Sequence, residues 1–157
     1  MFLDVHLMVN DPMSQIKFFA EAGADLISFH LESSSSAVQT LELIRSFGVK
    51  SALAIKPGTA AEEVYPLLSL CDMVLVMTVE PGYGGQAFIP ETIEKIRQLR
   101  EYAGSDLDIE VDGGINAKTA PLVKEAGANV LVAGTGLFKA EDMAQANAAL
   151  KTPQKGV

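Results

Sequence analysis

Three glycine-containing turns in the later part of the chain could bind an anion. They are Gly82-Tyr83-Gly84-Gly85, Gly113-Gly114 and Gly134-Thr135. Glycine lets the backbone approach a ligand closely, and successive N–H groups can then point into one concavity, which suits a phosphate. One such turn is equally typical of a plain loop, whereas three turns that each follow an apolar run favour a phosphate site. The segment Gly136–Lys139 is expected to begin a helical turn beside it.

An aspartate and a histidine are candidate proton carriers or metal ligands. Asp112 ends an apolar run directly before a glycine turn, where it is either a functional carboxylate or an aspartate that caps the turn, and its position alone leaves both open. His6 shares one strand face with Asp4 and Met8, because side chains alternate along a strand. A single histidine on an apolar strand is more often a core residue than a ligand. Together in one mouth, His6 and Asp112 would suit Zn, Fe or Mn, but two ligands do not complete a site.

Two methionines and a lysine have roles that depend on the direction they face. For Met8 and Met77, packing in the core is the default expectation. If both face the mouth of the site, they exclude water from a reactive anion. Lys56 is open to three interpretations: it pairs with a phosphate, it pairs with Glu32 or Glu80, or it is a solvated loop lysine.

Six short apolar runs predict β-strands, and each is followed by a segment with helical spacing. The predicted strands are Leu3–Val9, Leu26–Glu32, Ser51–Pro57, Met73–Val79, Asp108–Gly114 and Val130–Gly136. The predicted helices are Pro12–Ala22, Ser36–Phe47, Ala60–Leu70, Pro90–Tyr102, Ala117–Ala126 and Glu141–Leu150. Strands that alternate with helices of this length form βαβ units, so we expect an α/β fold with a parallel sheet. The turn Ala22-Gly23-Ala24-Asp25 recurs as Ala126-Gly127-Ala128-Asn129, and each copy is expected to close a helix with its glycine.

The ends of these runs favour a barrel over an open, doubly wound sheet. Every predicted strand ends in polar residues or glycine. A barrel brings the ends of all its strands to one mouth, whereas the binding site of an open sheet involves only a few strand ends. A closed barrel has eight strands and at least about 200 residues, and it places phosphate sites after strands seven and eight. We therefore expect residues 1–157 to form a single, incomplete (β/α)8 TIM-barrel domain that contains strands 3 to 8, about six of the eight βα units.

Composition and charge restrict the classes of partner and the cellular setting that can be expected. The chain has 157 residues, 48% of them hydrophobic, and a formal net charge of −8, which argues against a nucleic-acid partner because no basic stripe exists to meet phosphates. No apolar run reaches 18 residues, so no membrane segment is expected. The single cysteine, Cys71, cannot form a disulfide within the chain, and a reduced, cytoplasmic setting is the expectation.

Four motifs in this sequence resemble the ribulose-phosphate 3-epimerase family. They are Leu-Asp-Val-His-Leu-Met-Val from residue 3, Met-Thr-Val-Glu-Pro-Gly-Tyr-Gly-Gly-Gln-Ala-Phe from residue 77, Glu-Val-Asp-Gly-Gly-Ile from residue 110 and Val-Ala-Gly-Thr-Gly-Leu-Phe from residue 132. The resemblance implies interconversion of D-ribulose 5-phosphate and D-xylulose 5-phosphate at C3, a reaction of the pentose phosphate pathway. It also implies one divalent metal ion (Zn, Fe, Mn or Co) held by two His and two Asp. The two Asp exchange a proton from opposite faces of the sugar.

The resemblance assigns roles to particular residues. His6 and Asp112 match metal ligands, and Asp112 also matches one of the two acid/base groups. The residues that match substrate and phosphate contacts are His6, Gly82, Tyr83, Gly84, Gly85, Asp112, Gly113, Gly114, Gly134 and Thr135. Met8 and Met77 match methionines that cap the enediolate intermediate. Such an intermediate is stabilised by positive charge close to its oxygens.

Parts of the family pattern have no match in these 157 residues. The substrate-binding Ser of the first strand and the His-x-Asp of the second strand, which supplies one metal ligand and the other acid/base group, are not found. His30 is not interpreted as a substitute. We therefore expect the chain to be inactive alone, or nearly so. Its open first and last strands are expected to pair with other chains, and the full-length protein is expected to be a homo-oligomer.

Other functions compete with this interpretation. Allulose-6-phosphate 3-epimerase has the same scaffold and chemistry, and a decarboxylase or aldolase-type barrel also makes a metal-bound enediolate. From a different class, the chain could be a non-catalytic module that binds a sugar phosphate. A Rossmann-type nucleotide binder is disfavoured, because no G-x-G-x-x-G follows the first predicted strand.

Overall fold

Six parallel strands form one sheet in the computed structural model, which describes residues 1–151. The strands are β1 (Asp4–Leu7), β2 (Leu26–His30), β3 (Lys50–Ile55), β4 (Met73–Met77), β5 (Asp108–Asp112) and β6 (Val130–Val132). Each strand pairs with the next one along the chain, so the spatial order equals the sequence order. The six predicted strands and the parallel sheet are confirmed, although every observed strand is shorter than its predicted run.

Helices follow five of the strands. They are α1 (Met13–Glu21), α2 (Ala37–Ser46), α3 (Thr92–Ala103), α4 (Ala120–Glu125), α5 (Thr135–Phe138) and α6 (Met143–Lys151). The predicted helix Ala60–Leu70 is wrong, because two short 3₁₀ helices, Ala61–Glu63 and Tyr65–Leu70, take its place. Pro66 explains the difference: it lacks an N–H donor, and its ring would collide with the carbonyl of Glu62 in an α-helix. Within residues 1–151, no helix is long and apolar enough to span a membrane.

The strand order rules out the doubly wound alternative. A doubly wound sheet reverses its strand order at a switch point, whereas here all five crossovers run in one direction. Right-handed crossovers of one direction place the helices on one face of the sheet. The other face is therefore free to curl inward around a shared interior.

A contact between β1 and β5 shows how far the sheet curls. The Asp4 side chain hydrogen-bonds to that of Glu110, although three strands lie between their own in the sheet. In a flat sheet, strands about 4.8 Å apart would put these two positions almost 20 Å from each other. The sheet must therefore be rolled, as in part of a barrel wall.

The two faces of the sheet bury different amounts of apolar surface. The large core lies between the strands and the helices and includes Ile27, Phe29, Leu53, Val74 and Ile109, all fully buried. The inner face has only two small apolar clusters. One contains Leu26, Ala52 and Met73, and the other contains Ala54, Leu75, Met77 and Val79. Most stabilisation by apolar burial therefore comes from the outer layer, and polar side chains share the interior.

The repeated glycine turn has a different environment in each copy. Gly23 and Gly127 both have positive φ, +98° and +115°, as expected for glycines that end helices. A Cβ at Gly23 would meet no atom within 4 Å, whereas one at Gly127 would lie 2.6 Å from Cβ of Arg100. The Arg100 guanidinium donates to the carbonyls of Gly104, Leu107 and Gly127, so it joins the end of α3 to the loops that precede β5 and β6.

Substituting alanine in the two turns should separate backbone strain from packing. Both variants lose about 1–2 kcal/mol of stability because alanine disfavours the left-handed backbone conformation. Only Gly127→Ala also displaces Arg100, and this overpacking lowers stability by a further amount of about 1–3 kcal/mol. Urea unfolding followed by circular dichroism should show Gly127→Ala to be the less stable variant by that added amount. Equal free energies of unfolding for Gly23→Ala and Gly127→Ala would contradict the packing role of Arg100.

Candidate functional site

A cavity of about 310 Å³ lies where the loops after β4, β5 and β6 meet. It collects every residue that the sequence indicated for the site except His6. The predicted residues on its wall are Met8, Met77, Gly82, Tyr83, Gly84, Gly85, Asp112, Gly113, Gly114, Gly134 and Thr135. This end of the sheet is where the carboxyl ends of parallel strands meet, the usual place for binding sites in α/β folds. Three loops that are distant in sequence thus form one concave surface.

Gly113 and Gly114 are required by packing between two of these loops. Their φ angles are +129° and +64°. A Cβ on Gly113 would lie 2.6 Å from a methyl carbon of Val79, and one on Gly114 would lie 2.7 Å from the backbone nitrogen of Phe88. The Thr78 hydroxyl also donates to the Gly113 carbonyl at 2.6 Å. These two glycines therefore join the β4 loop to the β5 loop, whatever ligand they meet.

Two other glycines on the wall have no such packing role. A Cβ at Gly84 or Gly134 would meet nothing within 4 Å, and neither residue has a positive φ. The helix α5 begins directly after Gly134, so the predicted helical turn in this region is confirmed, one residue earlier than expected. At these positions the open space in front of the backbone is available to a ligand.

Gln86 holds the glycine loop in place, and sequence reasoning missed it. Its side-chain amide donates to the carbonyls of Glu80 and Tyr83, at 2.6 and 2.9 Å. The Tyr83 ring itself is exposed. A glutamine directly after two glycines was the available signal, because a long amide can satisfy the carbonyls of a tight loop.

Asp112 lies at the end of β5 on the cavity wall. Burial raises the pKa of its carboxyl above the ordinary value. Two residues earlier on the same strand face, Glu110 is almost fully buried. Burial, followed by the neighbouring carboxylates of Asp4 and Asp112, raises the pKa of Glu110 to about 8. Sequence reasoning missed Glu110, although its two-residue spacing from Asp112 placed both on one face.

His6 lies outside the cavity wall, against β2. Its Nδ1 is 2.9 Å from the Ser28 hydroxyl, and its ring centroid is 5.0 Å from that of His30. Burial and the neighbouring His30 lower the pKa of His6 to about 4, so the ring is neutral near pH 7. Its Nε2 is buried and has no hydrogen-bond partner, which fits a nitrogen that donates its lone pair to a metal.

A smaller cavity of about 200 Å³ adjoins the first and shares Met8 and Gly82 with it. Glu32 on its wall accepts hydrogen bonds from the Lys56 backbone at 3.0 Å, from the Thr59 hydroxyl and from His30. Burial opposes ionisation of Glu32, but these hydrogen bonds, that of His30 first, lower its pKa to about 2. Lys56 thus meets Glu32 through its backbone, and none of the ion pairs within residues 1–151 includes its side chain.

Lys95 explains why the loop at Lys56 has a fixed position. Its buried ammonium group donates to the carbonyls of Lys56 and Pro57 at 2.7 and 2.9 Å. Sequence reasoning missed this lysine because it lies on α3 with no motif around it. Within residues 1–151 no group of three or more His, Cys, Asp and Glu side chains is arranged to hold a metal ion, so His6 and Asp112 supply at most part of a metal site.

Comparison with known proteins identifies the family. The model of the ribulose-phosphate 3 epimerase family matches residues 1–138. Ribulose-phosphate 3-epimerase from Eremothecium gossypii is 46% identical over 141 residues, which are 90% of this chain and 59% of that protein. The Bacillus subtilis enzyme is 45% identical over 148 residues, covering 92% of this chain and 68% of its own length. The cytoplasmic isoform from Oryza sativa is 43% identical, with 99% and 69% coverage.

Solved structures agree on the fold. A 3-hexulose-6-phosphate synthase from Salmonella typhimurium superimposes with a TM-score of 0.71 at 19% identity, over 95% of this chain and 71% of that one. A 3-keto-L-gulonate-6-phosphate decarboxylase from Vibrio cholerae gives 0.71 at 18% identity, with 96% and 70% coverage. The chain spans about three fifths of the length of the first of the relatives it matches. It belongs to the ribulose-phosphate 3-epimerase family, a family of isomerases.

Proposed function

We propose that this chain carries the phosphate-binding side and one acid/base group of an enzyme that interconverts D-ribulose 5-phosphate and D-xylulose 5-phosphate at C3. One observation supports this most strongly: a single cavity gathers Asp112, two methionines and the three glycine turns. Membership of the epimerase family supports the reaction. In the proposal, residues 1–157 form one incomplete barrel domain, strands 3 to 8 of a (β/α)8 fold.

The glycine loops hold the phosphate of the sugar. A chain with a net charge of −8 offers no basic surface for an anion, so backbone N–H groups must bind the phosphate. The open space in front of Gly84 and Gly134 lets the backbone approach the phosphate closely. Gln86 fixes the carbonyls of the loop away from the ligand, because both of its hydrogen bonds are to loop carbonyls.

Asp112 moves the proton at C3 on one face of the sugar. A carboxyl whose pKa is raised by burial binds and releases a proton more readily near neutral pH than an exposed one. Epimerisation also needs a group on the opposite face, so that one removes the proton while the other delivers it. That second group is expected outside residues 1–157, on the second strand of the complete barrel.

His6 and Asp112 are the residues that would hold a divalent metal ion (Zn, Fe, Mn or Co). The free, buried Nε2 of His6 and the carboxylate of Asp112 are suitable donors. When bound, the ion supplies Lewis-acid stabilisation for the negative charge that develops on the sugar oxygens. Met77 is buried and Met8 is half exposed on the cavity wall, and both exclude water from the reacting carbon.

Two glycine variants test the phosphate site without disturbing the fold. Gly134→Ala places a methyl group in front of the proposed phosphate, and Gly58→Ala is its matched control, because neither position has positive φ or a neighbour within 4 Å and Gly58 lies off the cavity wall. Titration calorimetry with D-ribulose 5-phosphate should show at least tenfold weaker binding for Gly134→Ala, about 1.4 kcal/mol, and unchanged binding for Gly58→Ala.

Unfolding in urea checks that both glycine variants retain the stability of the parent. Equal affinities of the two variants for the sugar phosphate would remove Gly134 from the phosphate site.

Turnover tests the role of Asp112. The purified 157-residue chain is expected to show no conversion of D-ribulose 5-phosphate with Zn²⁺, Mn²⁺ or Co²⁺, because it supplies a carboxylate on one face of the sugar only. A chimera in which the preceding segment of the Bacillus subtilis enzyme is joined ahead of Met1 should regain turnover. Asp112→Asn in the chimera should reduce turnover by at least about 10³-fold, since a general acid/base is worth about 10²–10⁴-fold and a metal ligand is lost with it.

The same chimera decides between the proposed substrate and its rivals. Faster turnover of D-allulose 6-phosphate would assign the longer sugar instead. Binding of sugar phosphates by a folded chimera that turns over neither substrate would favour a non-catalytic binding module. Full activity of Asp112→Asn would contradict the proposed acid/base role. Sedimentation of the chimera tests the expected homo-oligomer.

A further inference from the structure

Thr78 directly follows β4 and faces away from the cavity. Side chains alternate along a strand, so its neighbour Met77 lies on the cavity wall while Thr78 shares the opposite face with Val74 and Val76. Both valines belong to the large core between the strands and the helices. Thr78 is fully buried there. A buried hydroxyl needs a hydrogen-bond partner, and the partner of this one lies in a different loop.

Thr78 forms hydrogen bonds in three directions. Its hydroxyl donates to the Gly113 carbonyl at 2.6 Å, and its backbone N–H donates to the Asp112 carbonyl at 2.8 Å. Its own carbonyl accepts a hydrogen bond from the backbone N–H of Ile89 at 2.9 Å. The loop that carries Gly82–Gly85 therefore begins and ends at Thr78, and the same residue holds the turn after β5.

The hydroxyl contact sets the direction of the peptide group between Gly113 and Gly114. Within residues 1–151 every peptide bond is trans, so the C=O and N–H of one peptide group point in opposite directions. The Gly113 carbonyl points to Thr78, which lies behind the cavity wall. The N–H of Gly114 therefore points to the other side, where both glycines line the cavity. None of the backbone hydrogen bonds among these residues uses that N–H as its donor.

We propose that Thr78 is a positioning residue for the phosphate of the sugar. Its hydroxyl holds the Gly113 carbonyl behind the wall, and this turns the N–H of Gly114 toward the phosphate. The inference rests on the function proposed above, because the phosphate site is common to both. The backbone N–H of Thr78 holds the Asp112 carbonyl independently, so loss of the hydroxyl should weaken phosphate binding and leave the end of β5 in place.

A purely structural role of the hydroxyl is the alternative. In that case it only satisfies the Gly113 carbonyl in the protein interior, and its loss lowers stability without changing how phosphate binds. Stability and phosphate affinity, measured on the same variants, therefore separate the two roles.

Titration of the 157-residue chain with inorganic phosphate provides the first test. In ¹H–¹⁵N spectra the amide of Gly114 should shift together with those of Gly84 and Gly134, and all three should give one dissociation constant. The amide of Gly58, which lies off the cavity wall, should not shift. Shifts of Gly84 and Gly134 without Gly114 would overturn the role of Thr78 and leave the proposed phosphate site standing. If none of the three amides shifts, both conclusions fail.

Threonine variants provide the second test. Thr78→Val keeps the shape of the side chain but removes the donor. It should weaken phosphate binding about tenfold, the lower end for loss of a hydrogen bond to a charged group. Thr78→Ser keeps the hydroxyl and should restore the affinity of the parent. Thr40→Val is the matched control and should bind phosphate like the parent, because Thr40 is also fully buried and its hydroxyl donates to the Ser36 carbonyl at 2.8 Å on α2.

Urea unfolding establishes that the variants are folded under the conditions of the titration. A folded Thr78→Val variant with parental phosphate affinity would overturn the proposal, even if it is less stable than the parent. Equal weakening by Thr78→Val and Thr40→Val would also overturn it. If Thr78→Val does not fold, Thr78→Cys, whose S–H is a weak donor, takes its place with the same expected and contradicting results.

Discussion

The rolled sheet forces polar side chains into a narrow interior, and the other features of the molecule depend on this constraint. With all crossovers in one direction, alternate side chains of every strand face the same space. Only two small apolar clusters fill that space. Other inner-facing positions carry Asp4, His6, Ser28, His30 and Glu110. They contact one another in pairs, Asp4 with Glu110 and His6 with both Ser28 and His30, as polar groups in a protein interior generally do.

Three long polar side chains position the loops, two of them from the outer helix α3 and one from within the loop after β4. Arg100 holds the loops that precede β5 and β6, Lys95 holds the loop after β3, and Gln86 holds the loop after β4. In each case the side chain donates to backbone carbonyls that no strand or helix satisfies. The contacts of Arg100 and Lys95 contribute more than a surface ion pair of similar length, because hydrogen bonds from charged donors are stronger than neutral ones. The loops around the cavity are thus held from α3 by Arg100 and Lys95 and, through Gln86, from the cavity wall itself.

Much of the fold and of the site could be predicted from the sequence. The spacing of the apolar residues predicted the six strands and most of the helices, and the placement of the glycines predicted the turns that line the cavity. Both are local properties of the chain. The helix expected over Ala60–Leu70 failed where Pro66 outweighed the apolar spacing. The pairing of Asp4 with Glu110 and of His6 with His30 could not be predicted, because it depends on how the sheet curls and not on spacing along one strand. Lys95 acts on loop carbonyls from a helix with no motif around it, whereas the position of Gln86 directly after two glycines was a signal that the sequence offered.

The carboxyl of Glu110 also alters the charge of the native molecule. The formal value of −8 counts every carboxylate as ionised, but a pKa of about 8 keeps Glu110 mostly protonated at pH 7, so the folded chain carries less negative charge than the formal value. The unfolded chain has the ordinary carboxyl, with a pKa near 4.5. Unfolding at neutral pH therefore releases a proton from Glu110, and this residue's stabilising contribution, complete below about pH 4.5, is lost as the pH rises through 8. The heat measured on unfolding at pH 7 must consequently include the ionisation heat of the buffer that takes up that proton.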